Sequence, residues 1–211
     1  MNMEHMDSHR WDSDSQRRRA LRVKLTIGLL LLVFVTQIAP TSATSRAKGR
    51  NEVFSALAQL PVAGSTRSVK IHINGYSSPQ DAERLCSTLL DGGPEALLKT
   101  LSKMKSLGRI EREGTVGFYD FKFILSKPTA TGRHIYAVAD RPIGFLESYF
   151  STRSKDYPFG ILELDLKNDN EKEKGEGTLI YAAKVRVVSG EKVEIENLTF
   201  APIRLLGVRQ L

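Results

Sequence analysis

After Gly108 the apolar residues of this chain recur every second position, and that period holds to the C-terminus. A backbone with a period of two puts successive side chains on opposite faces, so this half of the molecule is committed to β-sheet. Tyr119, Phe121, Phe123 and Leu125 fall on one face of a strand, and Lys127 to Gly132 supplies the turn into a partner, His134 to Asp140. Leu162, Leu164 and Leu166 alternate with Glu163, Asp165 and Lys167. Leu179, Tyr181, Ala183, Val185 and Val187 alternate with a set that includes Lys184 and Arg186. Each strand therefore has one wet face. Between them, 168–177 is almost wholly charged or glycine and reads as an exposed hairpin loop. Ser189 to Lys192 turns the chain into Val193, Ile195 and Asn197, and Ile203 to Val208 forms the last strand.

The first half follows a different period. Val69, Ile71 and Ile73 alternate with Lys70, His72 and Asn74 as a half-buried strand ending at Gly75. Ser78-Pro79-Gln80-Asp81 then supplies a capping serine, a proline where no amide is needed, and an acid beside the helix's positive end. Ala82, Leu85, Cys86, Leu89 and Leu90 follow on one helical face. Asp91-Gly92-Gly93-Pro94 ends that helix and opens another carrying Leu97, Leu98, Leu101 and Met104. The expected architecture is α+β: one strand, a helix pair, then a five- to six-stranded antiparallel meander with the helices packed on its apolar face. Curvature of the sheet toward a barrel is the main variant.

The N-terminus predicts export. Arg17, Arg18, Arg19, Arg22 and Lys24 precede the apolar run Leu25 to Ile38, and Thr41-Ser42-Ala43 suits a signal peptidase, giving a cleaved signal over 1–43. A run of 14 residues is short of the roughly 20 that span a bilayer. Membrane attachment through an uncleaved 25–38 is the alternative to a periplasmic or secreted protein. Residues 44–67 read as a flexible leader with a short helical or extended piece at Val53 to Leu60, and 68–211 as a single domain. The only cysteine, Cys86, sits in the apolar helical stripe, so stability rests on packing without an intramolecular disulfide.

Chemistry is sparse. A net charge of +7, evenly spread, does not imply nucleic acid. After His5 and His9 are removed with the signal, His72 and His134 remain, on different strands, without the short-spaced ligand pair of a metal site. Glu111, Glu113, Glu163 and Asp165 are interleaved with cations or apolar residues, as a solvated sheet face requires. Gly114 to Gly117 reads as a bulge or strand bend. No phosphate-cradling loop or nucleophile elbow occurs, so no cofactor and no catalytic residue are assigned.

The span from Asp140 to Leu166 is the exception. Phe145 and Tyr149 have near-helical spacing, Tyr157-Pro158-Phe159-Gly160 is a stiff turn into a strand, and Arg141, Arg153 and Lys155 lie among them. As a site, Arg141, Phe145, Tyr149, Arg153, Lys155, Tyr157 and Phe159 would grip an anionic or amphipathic ligand. Large aromatics anchoring a long connection over a sheet edge are the simpler reading.

With Asp140-Arg141-Pro142-Ile143-Gly144-Phe145, Arg153 to Gly160 and Gly175 to Val185 in view, the chain resembles a family of uncharacterised exported bacterial proteins over residues 69–209. That resemblance implies export and a bacterial source, and brings no assigned activity or ligand. Three functions are consistent with these residues. The first is a non-catalytic envelope domain binding a small ligand or protein partner through 141–159. The others are an extracytoplasmic hydrolase using strand carboxylates with His72 or His134, and a structural envelope protein assembling through Ile203 to Val208 at an open sheet edge.

Overall fold

A computed structural model describes residues 51–60, 65–144, 156–167, 175–188, 192–198 and 201–211. The signal, residues 44–50 and 61–64 of the leader, the expected site residues Phe145, Tyr149, Arg153 and Lys155, and most of the 168–177 loop lie outside the described residues. Among the described residues, no helix is long and apolar enough to cross a membrane.

Among the described residues, ten strands and one helical segment follow in the order β1 (Glu52–Gln59), β2 (Thr66–Ile73), α1 (Pro79–Ser102), β3 (Gly108–Arg112), β4 (Phe118–Phe121), β5 (Phe123–Thr129), β6 (Gly132–Ala139), β7 (Phe159–Lys167), β8 (Gly175–Val188), β9 (Lys192–Asn197) and β10 (Ile203–Gln210). All belong to one antiparallel sheet ordered β4-β3-β2-β1-β10-β8-β7-β6-β5, with β9 on the far part of β8. The two ends of this order, β4 and β5, are successive parts of one stretch interrupted only at Lys122. The first part pairs with β3 and the second with β6. The Lys122 amide donates to the Val138 carbonyl at 2.9 Å, so the sheet returns on itself as a nearly closed, barrel-like surface.

Closure follows from where the apolar faces go. Phe54, Ala56 and Ala58 of β1, Val69, Ile71 and Ile73 of β2, Ile110, Phe121, Ile124, Ile135, Ala137, Leu162, Leu164, Leu179, Tyr181, Ile203 and Leu205 form one buried interior cluster. A second cluster lies on the outside of the barrel. Leu85, Leu89, Leu97 and Leu101 of α1 pack there on Phe123, Phe159, Ile180, Ala183 and Val185. Strands β5 to β8 are thus apolar on both faces, and α1 covers the outer one.

Several expectations need correction. Two strands, not one, precede the helical segment, because β1, within the stretch expected as leader, pairs in full register with β2 and on its other side with β10. The sheet has ten strands because both sides of the helix contribute to it, whereas a meander restricted to the C-terminal half would have five or six. The helical segment runs as one element from Pro79 to Ser102, in which two helical runs meet directly at a non-helical Gly93 (φ 72°, ψ −171°) ahead of Pro94, where the sequence ends one run and opens the next. Its start is as expected: the Ser78 hydroxyl accepts from the Asp81 amide at 3.1 Å, and the Asp81 carboxylate accepts from Ser78. Cys86 is half-buried at the margin of the helical stripe, not within it. Phe121 and Phe123 do not share a face. The interruption at Lys122 places Phe121 inside the barrel and Phe123 beneath the helix. Ile203 to Val208 is no open edge, since β10 lies between β1 and β8.

Candidate functional site

Alternating strand directions gather the connections at the two barrel ends. The first end holds the start of β1, the end of β2, both ends of α1 and the β5–β6 turn. The second holds the end of β1, the start of β2, the β3–β4 turn and the chain leaving β6. At this second end a cleft of about 420 Å³ is lined by Arg112, Thr115, Val116, Gly117, Phe118, Tyr119, Arg141 and Gly144.

Each wall has a local cause. Arg112 ends β3, and its carbonyl accepts from the Thr115 amide at 3.3 Å and the Thr115 hydroxyl at 3.0 Å, closing a tight turn. Gly114 (φ 76°) and Gly117 (φ 117°) take backbone conformations that favour glycine, so the stretch expected as a bulge or bend is this turn. Val116 at its tip is fully exposed and Phe118 is 48% exposed, although both are apolar. The opposite wall is pinned by Ile143, which is fully buried and whose amide donates to the Tyr181 carbonyl at 2.8 Å. Ile143 also explains Gly160: a Cβ there would come within 2.7 Å of the isoleucine side chain. Arg141 is thereby held at the rim, with its Cζ 5.3 Å from the centroid of the Tyr119 ring. Arg109 lies over Phe118 at 5.2 Å. Two aromatic faces thus carry guanidinium groups beside the exposed Val116.

The predicted site residues separate. Arg141 lines the cleft. Phe159 is fully buried beneath α1 as part of the outer core. Tyr157 is half-buried against the interior cluster, and its hydroxyl donates to Glu196 Oε1 at 2.6 Å. Glu196 also takes Arg186 Nη2 at 2.8 Å, so Tyr157 fastens the chain entering β7 to the β8–β9 hairpin. The phenol is pushed up to about 12, first by that hydrogen bond and then by burial. Arg112, Phe118 and Tyr119 were not singled out from the sequence. An Arg and an aromatic pair flanking a turn with two glycines is the available signal, and Tyr119 both lines the cleft and packs against the interior cluster.

The two strand histidines do not meet. His72 on β2 pairs with Glu111 on β3 at 3.1 Å, and His134 on β6 lies 3.9 Å from Glu163 and 3.8 Å from Asp165 on β7. Strands β2 and β6 are not neighbours. Among the described residues, no group of three His, Cys, Asp or Glu side chains is placed to hold a metal ion. Set against family models, curated proteins and solved structures, the chain shows no significant match to any of them.

Proposed function

We propose that this protein is an exported binding domain that takes an amphipathic organic carboxylate in the cleft between the β3–β4 turn and the 140–144 segment. The observation that carries this reading is the placement of Arg112 and Arg141 around one cleft whose other walls are Val116, Phe118 and Tyr119. A guanidinium presents a planar fork that matches a carboxylate with two parallel hydrogen bonds. The aromatic faces and Val116 supply an apolar bed for the body of the ligand. Export rests on the basic-apolar-small pattern of residues 1–43, and places the domain in the periplasm or outside the cell.

Calorimetric titration of the full chain with 2-naphthoate and decanoate tests the reading. Saturable binding is expected, weakened roughly tenfold by Arg141→Gln or Arg112→Gln, the loss of one charged hydrogen bond. Absence of binding by either probe, or binding indifferent to both substitutions, overturns it.

A further inference from the structure

A second cleft, of about 400 Å³, lies at the other end of the barrel. Its walls come from the chain entering and leaving α1 and from Lys122 between β4 and β5. The entry and exit are tied together: the amides of Asn74 and Gly75 both donate to the Leu107 carbonyl, at 2.8 and 3.2 Å. The break at Gly93 lets the helical segment return to where it began.

Four cations line this cleft, Arg84, Lys103, Lys105 and Lys122, against a single acid, Asp81. Asp81 is already engaged, accepting from Arg84 Nη2 at 3.0 Å and from the Ser78 hydroxyl at 2.8 Å. Among the described residues no ion pair involves Lys103, Lys105 or Lys122. Three uncompensated ammonium groups around one concavity repel one another and concentrate anions there. At the start of α1 the Asp81 amide already donates to the Ser78 hydroxyl and the Ser78 amide to the Asp81 carboxylate, so the cations carry the attraction.

We infer that this cleft binds an organic phosphate monoester, with Lys103, Lys105 and Lys122 holding the phosphate and Tyr76, Met104 and Leu107 flanking its organic part. Lysines are point charges that approach an anion from separate directions, which suits the three terminal oxygens and double charge of a phosphate monoester better than a planar carboxylate. None of these residues lines the Arg112–Arg141 cleft, so the inference stands apart from the carboxylate reading.

The test is titration of the full chain with phenyl phosphate, inorganic phosphate and phenyl sulfate, followed by amide chemical shifts. Phenyl phosphate should saturate, moving the amides of Tyr76, Ser77, Met104, Lys105 and Lys122. Inorganic phosphate should bind more weakly for want of the apolar contacts, and phenyl sulfate more weakly because it carries one charge. Affinity for phenyl phosphate should fall on going from about pH 7.5 to about pH 5, as the ester loses its second charge near pH ~6. Lys122→Gln and Lys105→Gln should each weaken it roughly tenfold, while Lys122→Arg retains it. If the half-buried Lys122→Gln variant does not fold, Lys105→Gln, on the exposed connector, decides alone. No saturation by phenyl phosphate, equal affinity for phenyl sulfate, or binding unchanged in Lys105→Gln would overturn the inference.

Discussion

Glu52 on β1 and Arg133 on β6, 81 residues apart, meet across the first end of the barrel with Arg133 Nη2 2.6 Å from Glu52 Oε1. Glu52 shares its face with Phe54, Ala56 and Ala58, and Arg133 shares its face with Ile135 and Ala137, so both point inward from strands that are not neighbours. The Tyr76 hydroxyl donates to Glu52 and accepts from Arg133 Nη1 at 3.2 Å, and the guanidinium sits 5.9 Å from the Phe54 ring centroid. This trio closes the apolar interior where the sheet ends, and it satisfies a carboxylate that is only 7% exposed.

Removing both partners should therefore cost less than the sum of removing each alone. Arg133→Met is expected to destabilise by about 2 kcal/mol, below the full penalty of a wholly buried pair because the arginine is 29% exposed. In urea denaturation, the double variant with Glu52→Gln should lose less than the sum of the single losses, by about 1 kcal/mol. Strict additivity would mean that the two groups are not coupled.

Alkaline pH should weaken the fold. Burial first, and then the hydrogen bond to Glu52, raises the Tyr76 phenol above its ordinary value; the Glu196 contact and burial push Tyr157 up to about 12. Both groups hold their protons more tightly when folded, so their contribution is intact below the unfolded value of about 10 and is lost as pH climbs past it. For Tyr157 that window runs from about 10 to about 12. Urea midpoints measured from pH 8 upward should be flat at first and then fall, and Tyr76→Phe should make the fall shallower. An unchanged slope in that variant would remove Tyr76 from the explanation.

Two glycines should resist alanine for different reasons. At Gly108 a Cβ would lie 2.4 Å from the His72 carbonyl oxygen and 2.8 Å from Ile124 Cδ1, so β3 must move off β2, at a cost of about 2 kcal/mol. At Gly93 nothing lies within 4 Å, and only the positive φ resists substitution. With ψ at −171° the residue lies where almost only glycine is found, so backbone strain alone should cost about 2 kcal/mol. Thermal unfolding of both variants should show a loss at each, and an unaltered midpoint at either would contradict the cause given for it.

The outer core should depend on α1. Leu101 is 1% exposed against the sheet's outer face, so Leu101→Ala is expected to cost about 3 kcal/mol. Leu98, half-buried beside it, should cost clearly less. Equal losses at the two positions would argue against the packing described here.

Much of this fold is legible in local periodicity. The strands after Phe118 are legible from their apolar residues, although β8 is buried on both faces over Leu179–Ala183 where one wet face was expected, and Ser78-Pro79 marks the helix start because capping is decided within four residues. What was not legible depends on distant partners. The β1 sequence Glu52 to Gln59 becomes a central strand only by pairing with β10, more than 140 residues later (Phe54 with Gln210). Phe121 and Phe123 look alike in sequence, and the change of face at Lys122 arises only because β4 and β5 serve opposite ends of the sheet. The same limit applies to the cleft: Arg141 was visible beside its aromatic neighbours, but its companions Arg112, Phe118 and Tyr119 reach it only through barrel closure.

The most direct test of the proposed function is amide hydrogen exchange on the full chain with and without 2-naphthoate, resolved to peptides. The proposed carboxylate cleft predicts slower exchange in residues 112–119 and 140–144 when the ligand is present, with β1, β2 and β10 unchanged. Unaltered exchange in both segments, or slowing confined to other parts of the chain, would contradict it.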